Sequence, residues 1–163
     1  MSNWREPITD RTIADVKNYD AGSLEYQKGA LNADDLNRIE GNFAYLEEKL
    51  RSDAIFIPHI FRNCEETTLN ADGTQTTNTY TDWQENNLPW LSEINRIRAN
   101  HNALVRLFLV GLGFSEQPES NYLDYNEVNN WEKFALFSKM MFENMEKEYL
   151  YCGMEESGGE RLL

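Results

Sequence analysis

Basic side chains are scarce in this sequence of 163 residues. It has 15 lysines and arginines against 28 aspartates and glutamates, so its formal net charge is -13 at pH 7. Proteins that bind nucleic acid neutralise its phosphates with clusters of lysine and arginine, and anionic membrane surfaces attract the same side chains. The charge balance therefore speaks against nucleic acid and membranes as partners.

Long apolar segments and closely spaced cysteines are also lacking. The longest apolar run, Ala103 to Phe114, is interrupted by Arg106 and is shorter than the roughly 20 residues that span a bilayer. The N-terminus is polar and has no secretory signal pattern. Cys64 and Cys152 lie far apart without CxxC spacing, which is typical of two free thiols. We therefore expect no transmembrane helix, and assembly in a reducing cytoplasm.

Motifs of catalysis and cofactor binding are missing as well. No HExxH, GxSxG, GxGxxG or phosphate-loop pattern occurs. His59 has no catalytic context, and His101 occupies a position in an apolar stripe, where a core or interface histidine is expected. The run TLNADGTQTTNT resembles a calcium loop, but Thr68 and Thr79 stand where the first Asp and the bidentate Glu should be. The sequence predicts no enzyme activity, no metal site and no cofactor.

What the chain does contain is an internal repeat. The repeated stretches are LNADDLNRIEGN (31–42), PWLSEINRIRAN (89–100) and, more faintly, LDYNEVNNWEKF (123–134). They align when Leu36, Ile94 and Val128 share one column. In the first two copies apolar residues then recur at alternating steps of three and four, which is the pattern of an amphipathic helix with one buried stripe. The third copy has a broader apolar surface, so we expect it at the centre of the core.

Each repeat also carries an asparagine just after its first core position. These residues are Asn37, Asn95 and Asn129. Asparagine is a poor residue for a helix interior because its amide competes for backbone hydrogen bonds. A solvent-facing side chain is the simplest interpretation of any one of them. Their recurrence in one column favours a shared role, namely an amide that ties the incoming loop to its helix.

A threonine-rich segment separates the first two predicted helices. Its arms EETTL and TQTTNTY flank NADG, so we expect a β-hairpin with Asn70 to Gly73 at its tip. The predicted fold is mainly α, a helical bundle built from repeated Asn-Arg-Ile-type helices with an inserted β-hairpin, in a single domain. Its parts are an N-terminal arm with a short helix capped by Thr9 or Asp10 (1–30), helix 1 (31–52), the hairpin insertion (53–83), helix 2 (84–114), helix 3 (122–150) and a flexible tail (151–163).

Three aromatic residues, Tyr80, Trp83 and Trp90, cluster beside the predicted hairpin. Exposed aromatic side chains of this kind stack on sugars or anchor a protein partner, so these three are the candidate binding residues. The competing interpretation is that Trp83 and Trp90 cap the core of helix 2. The two interpretations differ in whether Trp83 and Trp90 are exposed together on one face.

Long stretches of the chain resemble a known group of proteins. NWREPITDRTIADV followed by KGALNADDLNRIEGNFAYL, then YTDWQENNLPWLSEINRIRANHNAL, and finally LDYNEVNNWEKFALFSKMMFENMEKEYLYCG are similar to small tail and baseplate-associated proteins of tailed phages and prophages of Gram-positive bacteria. Both of the first two units contain a Thr-Asp step, and Arg11 stands in the first where Trp83 stands in the second.

The resemblance implies a structural protein of a phage tail or baseplate that acts by protein-protein contact without catalysis. Its expected partners are other tail or baseplate proteins and further copies of itself, and its expected location is the virion tail, after assembly in the host cytoplasm. The alternative is a receptor-binding or carbohydrate-binding module of a tail fibre, for which a host-surface glycan is the expected ligand.

Overall fold

A computed structural model describes residues 4–20, 26–52, 55–57, 59–62, 64–85, 89–108 and 113–156. These residues are mainly helical, which confirms the predicted fold class. The helices are α1 (Ile13–Lys17), α2 (Ala33–Ser52), α3 (Leu91–Phe108) and α4 (Tyr125–Glu156), and the strands β1 (Cys64–Leu69) and β2 (Gln75–Tyr80) lie between α2 and α3.

The helix starts follow from local capping. Asn32 and Asp35 cap α2 reciprocally, since the Asp35 N–H donates to Asn32 Oδ1 at 2.9 Å and the Asn32 N–H donates to Asp35 Oδ2 at 3.4 Å. At the start of α4, Asp124 Oδ1 accepts from the backbone N–H of Glu127 at 2.8 Å. These carboxylates and amides satisfy N–H groups that the first helical turn leaves unpaired.

The cap of α1 differs from the prediction. Thr12 caps this helix and forms a capping box with Asp15, so the assignment of Thr9 or Asp10 was wrong. The Asp15 carboxylate accepts from both the backbone N–H and the hydroxyl of Thr12 at 2.7 Å. The hydrogen bonds from Thr12 lower the pKa of Asp15.

Two other predicted boundaries also differ. The sequence predicts helix 2 over 84–114, but α3 begins only at Leu91, because the Trp90 carbonyl accepts the first helical hydrogen bonds. Beyond Phe108, Gly113 has a φ of 85°, which is incompatible with a continuing helix. The tail predicted from residue 151 is helical up to Glu156, because Gly153 lowers helix propensity without ending the helix. Residues 157–163 lie outside the described part of the chain.

The helices α2, α3 and α4 run in the same direction around one core. Their contacts occur in matching order along each pair: Glu40–Arg96 and Phe43–His101 between α2 and α3, and Arg38–Glu132 and Lys49–Glu146 between α2 and α4. Parallel neighbours need long connections, since the chain must return from the end of one helix to the start of the next. Long segments accordingly separate α2 from α3 and α3 from α4.

The core contains the apolar positions that the sequence alignment predicted. All six predicted core positions are buried: Leu36, Ile94 and Val128 in one column, and Ile39, Ile97 and Trp131 in the next. His101 is fully buried too, with its ring 5.9 Å from that of Phe43 and 5.1 Å from that of Phe134. A histidine in this environment belongs to the core, as its place in the stripe predicted.

The strands β1 and β2 form an antiparallel hairpin, in register from Cys64 opposite Tyr80 to Leu69 opposite Gln75. Gly73 in the connecting turn has a φ of 81°, which favours glycine. The Asp72 carboxylate accepts hydrogen bonds from the backbone N–H and the hydroxyl of Thr74, at 3.0 and 2.6 Å. This carboxylate therefore stabilises the turn.

Candidate interaction surface

Asparagine side chains bind the extended segments to the helices in one recurring geometry. In each case the amide oxygen accepts from the backbone N–H of a loop residue, and the amide nitrogen donates to the carbonyl of the same residue, at 2.7–3.0 Å. We call this arrangement an asparagine clamp. The clamps are Asn42 with Arg5, Asn129 with Arg11, Asn100 with Ile60, Asn37 with Trp83 and Asn102 with Gln117. Since an amide has a donor beside an acceptor, each clamp satisfies both backbone groups of its loop residue.

The role predicted for the repeated asparagines is confirmed in part. Asn37 and Asn129 both hold a loop, but the loop leads into another helix rather than their own. Asn95 binds no loop backbone among the described residues, and its Oδ1 accepts from Arg98 Nη1 at 2.6 Å. Arg98 binds the loop in place of Asn95. Its guanidinium donates to the carbonyl of Tyr122 at 2.6 Å and to the carbonyl of Ser120 at 2.9 Å.

The clamps formed by Asn42 and Asn100 were not predicted from the sequence. Asn42 holds Arg5, which precedes α1 and α2 in the chain, and Asn100 holds Ile60, which precedes the hairpin and α3. Both asparagines occupy the last column of the first two repeats, in EGN and RAN, so the signal was present in the alignment. It had no counterpart in the third repeat, where Phe134 occupies that column.

A buried group of four charges connects the N-terminal segment to α2 and α4. Arg11 Nη2 lies 3.1 Å from both Asp35 Oδ1 and Glu132 Oε1, and Arg38 Nη2 lies 2.5 and 2.7 Å from the same two atoms. All four side chains are almost fully buried. Burial opposes the charge of Arg38, but its hydrogen bonds and ion pairs with Glu132 and Asp35 outweigh that effect and raise its pKa. The group is electrically balanced, with every charge held by a partner, as a structural cluster requires.

A second set of polar contacts holds the segment 55–62, as far as it is described, against α2 and α3. His59 Nδ1 lies 2.8 Å from Glu47 Oε1, and both side chains are buried. The carbonyl of Ile60 accepts from Arg96 Nη1 at 2.9 Å in addition to its bond with Asn100. Because Ile60 is bound through both its N–H and its carbonyl, the backbone is held in place at this residue.

The same segment presents large apolar side chains to solvent. Phe56 and Phe61 are 72% and 66% exposed, and Ile55 and Ile60 are exposed as well. We call these four residues the 55–61 surface. Four large exposed apolar side chains within seven residues of sequence favour an interaction site, where aromatic side chains are enriched. This surface is the strongest candidate for a protein contact.

The three aromatic residues predicted from the sequence do not form a common surface. Trp83 is only 3% exposed, with the guanidinium of Arg62 lying 4.3 Å from its ring centroid. Trp90 is 71% exposed, and Tyr80 is half-buried at the end of β2. The core interpretation is therefore correct for Trp83 and wrong for Trp90. The backbone of Trp83 is also clamped to Asn37, a contact that the sequence did not predict.

The described residues contain no cluster of three or more His, Cys, Asp or Glu side chains placed to hold a metal ion. Within the same ranges, no helix combines the length and apolarity needed to cross a bilayer.

Burial lowers the pKa of His101 to about 4, so its imidazole is neutral at pH 7.

No protein-family model matches this chain, and neither a curated protein nor a solved structure shows significant similarity to it.

Proposed function

We propose that this chain is a structural component of a phage tail or baseplate that works by protein-protein contact and has no catalytic role. The 55–61 surface carries the contact part of the proposal. It combines exposed apolar side chains with a backbone held by Asn100, Arg96 and the His59–Glu47 pair. A surface that is already ordered loses little conformational entropy on binding, which favours stable association.

The bonding of the charged groups supports a non-catalytic role. A catalytic acid or base must reach a substrate, whereas His59 is buried against Glu47 and Glu132 is buried between Arg11 and Arg38. These groups hold segments of the chain together.

We also propose that the three long helices form a bundle of repeated units, each made of an extended segment followed by a helix. Two correspondences support this. Asn42 and Asn100 share a column, and each holds the segment that precedes its own helix. Asn37 and Asn129 share another column, and they hold Trp83 and Arg11 respectively. Trp83 and Arg11 are also equivalent in the sequence, because each directly follows a Thr-Asp pair. A chain of repeated units offers similar surfaces to several neighbours, as subunits of symmetric assemblies do.

The assignment to a phage tail rests on the resemblance of the sequence to small tail and baseplate-associated proteins. The net charge of -13 fits this role, because an acidic subunit stays soluble before assembly and is attracted to a basic surface on its partner. The proposed partners are other tail or baseplate proteins and further copies of this chain, and the proposed location is the virion.

The alternative, a receptor-binding or carbohydrate-binding module, has one observation in its favour, the exposed indole of Trp90. Binding of the protein to a glycan array that is lost in Trp90→Ala would favour it over the structural role. Trp83, with its buried ring, contributes no stacking face to such a site.

The test of the structural role uses particles of the parent phage or induced prophage. Mass spectrometry of purified particles should detect the protein, and deletion of its gene should give DNA-filled heads with tails that are missing, incomplete or unable to adsorb. A Phe56→Ser, Phe61→Ser double variant should fold normally yet enter particles at a level at least about tenfold lower, since it removes two apolar contacts. Leu69→Ser, at an equally exposed position on the hairpin, is the matched control. Normal infectious particles without the protein would refute the structural role.

A further inference from the structure

The two-stranded hairpin stands apart from the helical core. Among the described residues, β1 and β2 pair only with each other, and neither strand packs extensively against a helix. Successive residues of a strand point to opposite faces, yet Gln75 and Thr76 are both exposed, so neither face is covered at this part of the hairpin. An isolated two-stranded hairpin is marginally stable in water, and further strands stabilise it.

The turn fixes which backbone groups of the hairpin point outward. In an antiparallel pair of strands, opposite residues alternate between pairs that bond to each other and pairs whose N–H and C=O groups point away. The Asn70 N–H donates to the Thr74 carbonyl at 2.8 Å, so this pair is of the bonded kind. The next pair, Leu69 with Gln75, is therefore of the outward kind, and the alternation gives Thr79 the same orientation. The outer edge of β2 thus presents backbone donors and acceptors, and no strand of the described chain pairs with this edge.

The two edges of the hairpin differ in charge. β1 (CEETTL) contains Glu65 and Glu66, whereas β2 (QTTNTY) contains no charged residue. Charged residues on an edge strand hinder the addition of another strand, above all of an identical one, because like charges then meet. β2 also lacks proline and glycine, and a six-residue segment of this composition is typical of strands that pair with copies of themselves. The edge of β2 is therefore the one open to addition, and a second copy of the same strand fits it.

We propose that β2 pairs with β2 of a second copy of this chain, antiparallel across a two-fold axis, so that two hairpins form one four-stranded sheet. In the register that uses every outward backbone group, Gln75 of each copy lies opposite Thr79 of the other. Such a contact closes after two copies, whereas addition of β1 to β2 would continue into a fibre. The inference rests on the proposed contact function, in which further copies of this chain are partners, and it gives that self-contact a location.

The overall charge opposes this contact from a distance. Each copy carries a formal net charge of -13, so two copies repel each other at low ionic strength, and salt screens the repulsion. A single strand pair is also a small interface, which gives weak association between two free chains. Neighbours that hold two hairpins close together in an assembly raise their effective concentration. In solution the dimer should therefore form at high protein and high salt concentration.

The experiment is analytical ultracentrifugation of the full chain, combined with amide hydrogen exchange followed by NMR. In about 0.5 M NaCl the chain should dimerise reversibly as its concentration rises to about 1 mM, with a dissociation constant at least about threefold lower than in about 0.05 M NaCl. Amide exchange of Gln75 and Thr79 should slow at least about threefold on dimerisation, because their N–H groups become hydrogen-bonded. Exchange of Thr67 and Leu69, at the outward positions of β1, should stay unchanged.

The variants Thr79→Pro and Thr67→Pro are a matched pair. Each removes one outward N–H, on β2 and on β1 respectively, and neither removes a hydrogen bond between the two strands. Thr79→Pro should dimerise at least about tenfold more weakly than Thr67→Pro. Slow exchange of the Asn70 amide, which bonds to Thr74, reports an intact hairpin in both variants.

A second variant, Gln75→Glu with Thr79→Glu, keeps every backbone N–H. In the proposed register each introduced carboxylate faces another on the second copy, so this variant should also dimerise at least about tenfold more weakly than the unmodified chain.

Three results would each overturn the inference: a chain that stays monomeric at high salt and high concentration, equal dimerisation of the two proline variants, or slowed exchange at Thr67 in place of Gln75. The proposed function fails separately. A chain absent from purified particles refutes the tail role, whereas a chain that is present in particles but monomeric in solution refutes only the strand pairing.

Discussion

Replacement of His101 by Phe should make the protein more resistant to mild acid. His101 is fully buried and lies between the rings of Phe43, Trp131 and Phe134. Burial lowers its pKa to about 4, below the ordinary value of 6.5, although its hydrogen bond with Asn102 acts in the opposite direction. The folded protein therefore keeps a neutral imidazole at a pH where the unfolded chain would already bind a proton.

The sign of the effect follows from this difference. Well above pH 6.5 His101 is neutral in both states and has no pH-dependent effect on stability. As the pH falls from 6.5 towards 4, only the unfolded chain gains the proton, so the free energy of unfolding decreases. The loss amounts to about 1 to 2 kcal/mol at pH 5.5 and approaches about 3 kcal/mol near pH 4.

The assay is urea unfolding of the unmodified protein and of His101→Phe between pH 8 and 5.5, which stays above the sequence pI of about 4.5. Phenylalanine suits the position because Phe43 occupies the same column of the first repeat, so at pH 8 the two proteins should differ by less than about 1.5 kcal/mol. The difference should then shift in favour of the variant by about 1 to 2 kcal/mol at pH 5.5. Other titrating groups are present in both proteins, so their pH-dependent contributions to the free energy of unfolding cancel in the difference. Two stability curves that stay parallel over the whole range would refute the burial argument.

Three further predictions concern the clamps, the buried charges and the hairpin. Asn42→Ala should lower the free energy of unfolding by about 2 kcal/mol, because it removes two hydrogen bonds and leaves the backbone groups of the N-terminal segment unpaired, whereas Asn126→Ala at an exposed site should change it by less than about 0.5 kcal/mol. Similar values in urea unfolding would mean that the clamp contributes nothing. Glu132→Gln should cost about 3 to 5 kcal/mol because two buried guanidinium groups lose a carboxylate, while Glu146→Gln, in a solvent-exposed ion pair, should cost less than about 1 kcal/mol; the reverse order would contradict the structural role of the buried cluster. Millimolar calcium should leave the melting temperature unchanged, since Asp72 bonds within its own turn; a calcium-induced rise that Asp72→Ala abolishes would reveal an ion site in the hairpin.

The sequence alone determined the helices, the hairpin and most of the core. These features depend on signals within a few residues: an apolar stripe with helical spacing through Leu36 and Ile39, a turn ending at Gly73, and paired caps such as Asn32 with Asp35. Helix ends were less predictable. The start of α3 depends on which carbonyl accepts the first helical bond, and the segment before it gave no clear capping signal.

Tertiary structure decided which parts of the chain meet. The repeat indicated that asparagines such as Asn129 bind a loop, but only the folded chain shows that its partner is Arg11, 118 residues away. The buried charge group at Glu132 also forms only in the folded chain, because its members come from three distant segments. The relative direction of the helices is likewise set by tertiary contacts, since local periodicity does not determine it. Exposure also depends on these distant contacts: the clamp to Asn37 accompanies burial of Trp83, whereas the contacts that fix the segment 55–62 leave Phe56 in solvent. Short-range patterns specify local conformation. Packing between residues far apart in the chain decides which of several similar amides, charged groups and aromatic rings form contacts or become buried.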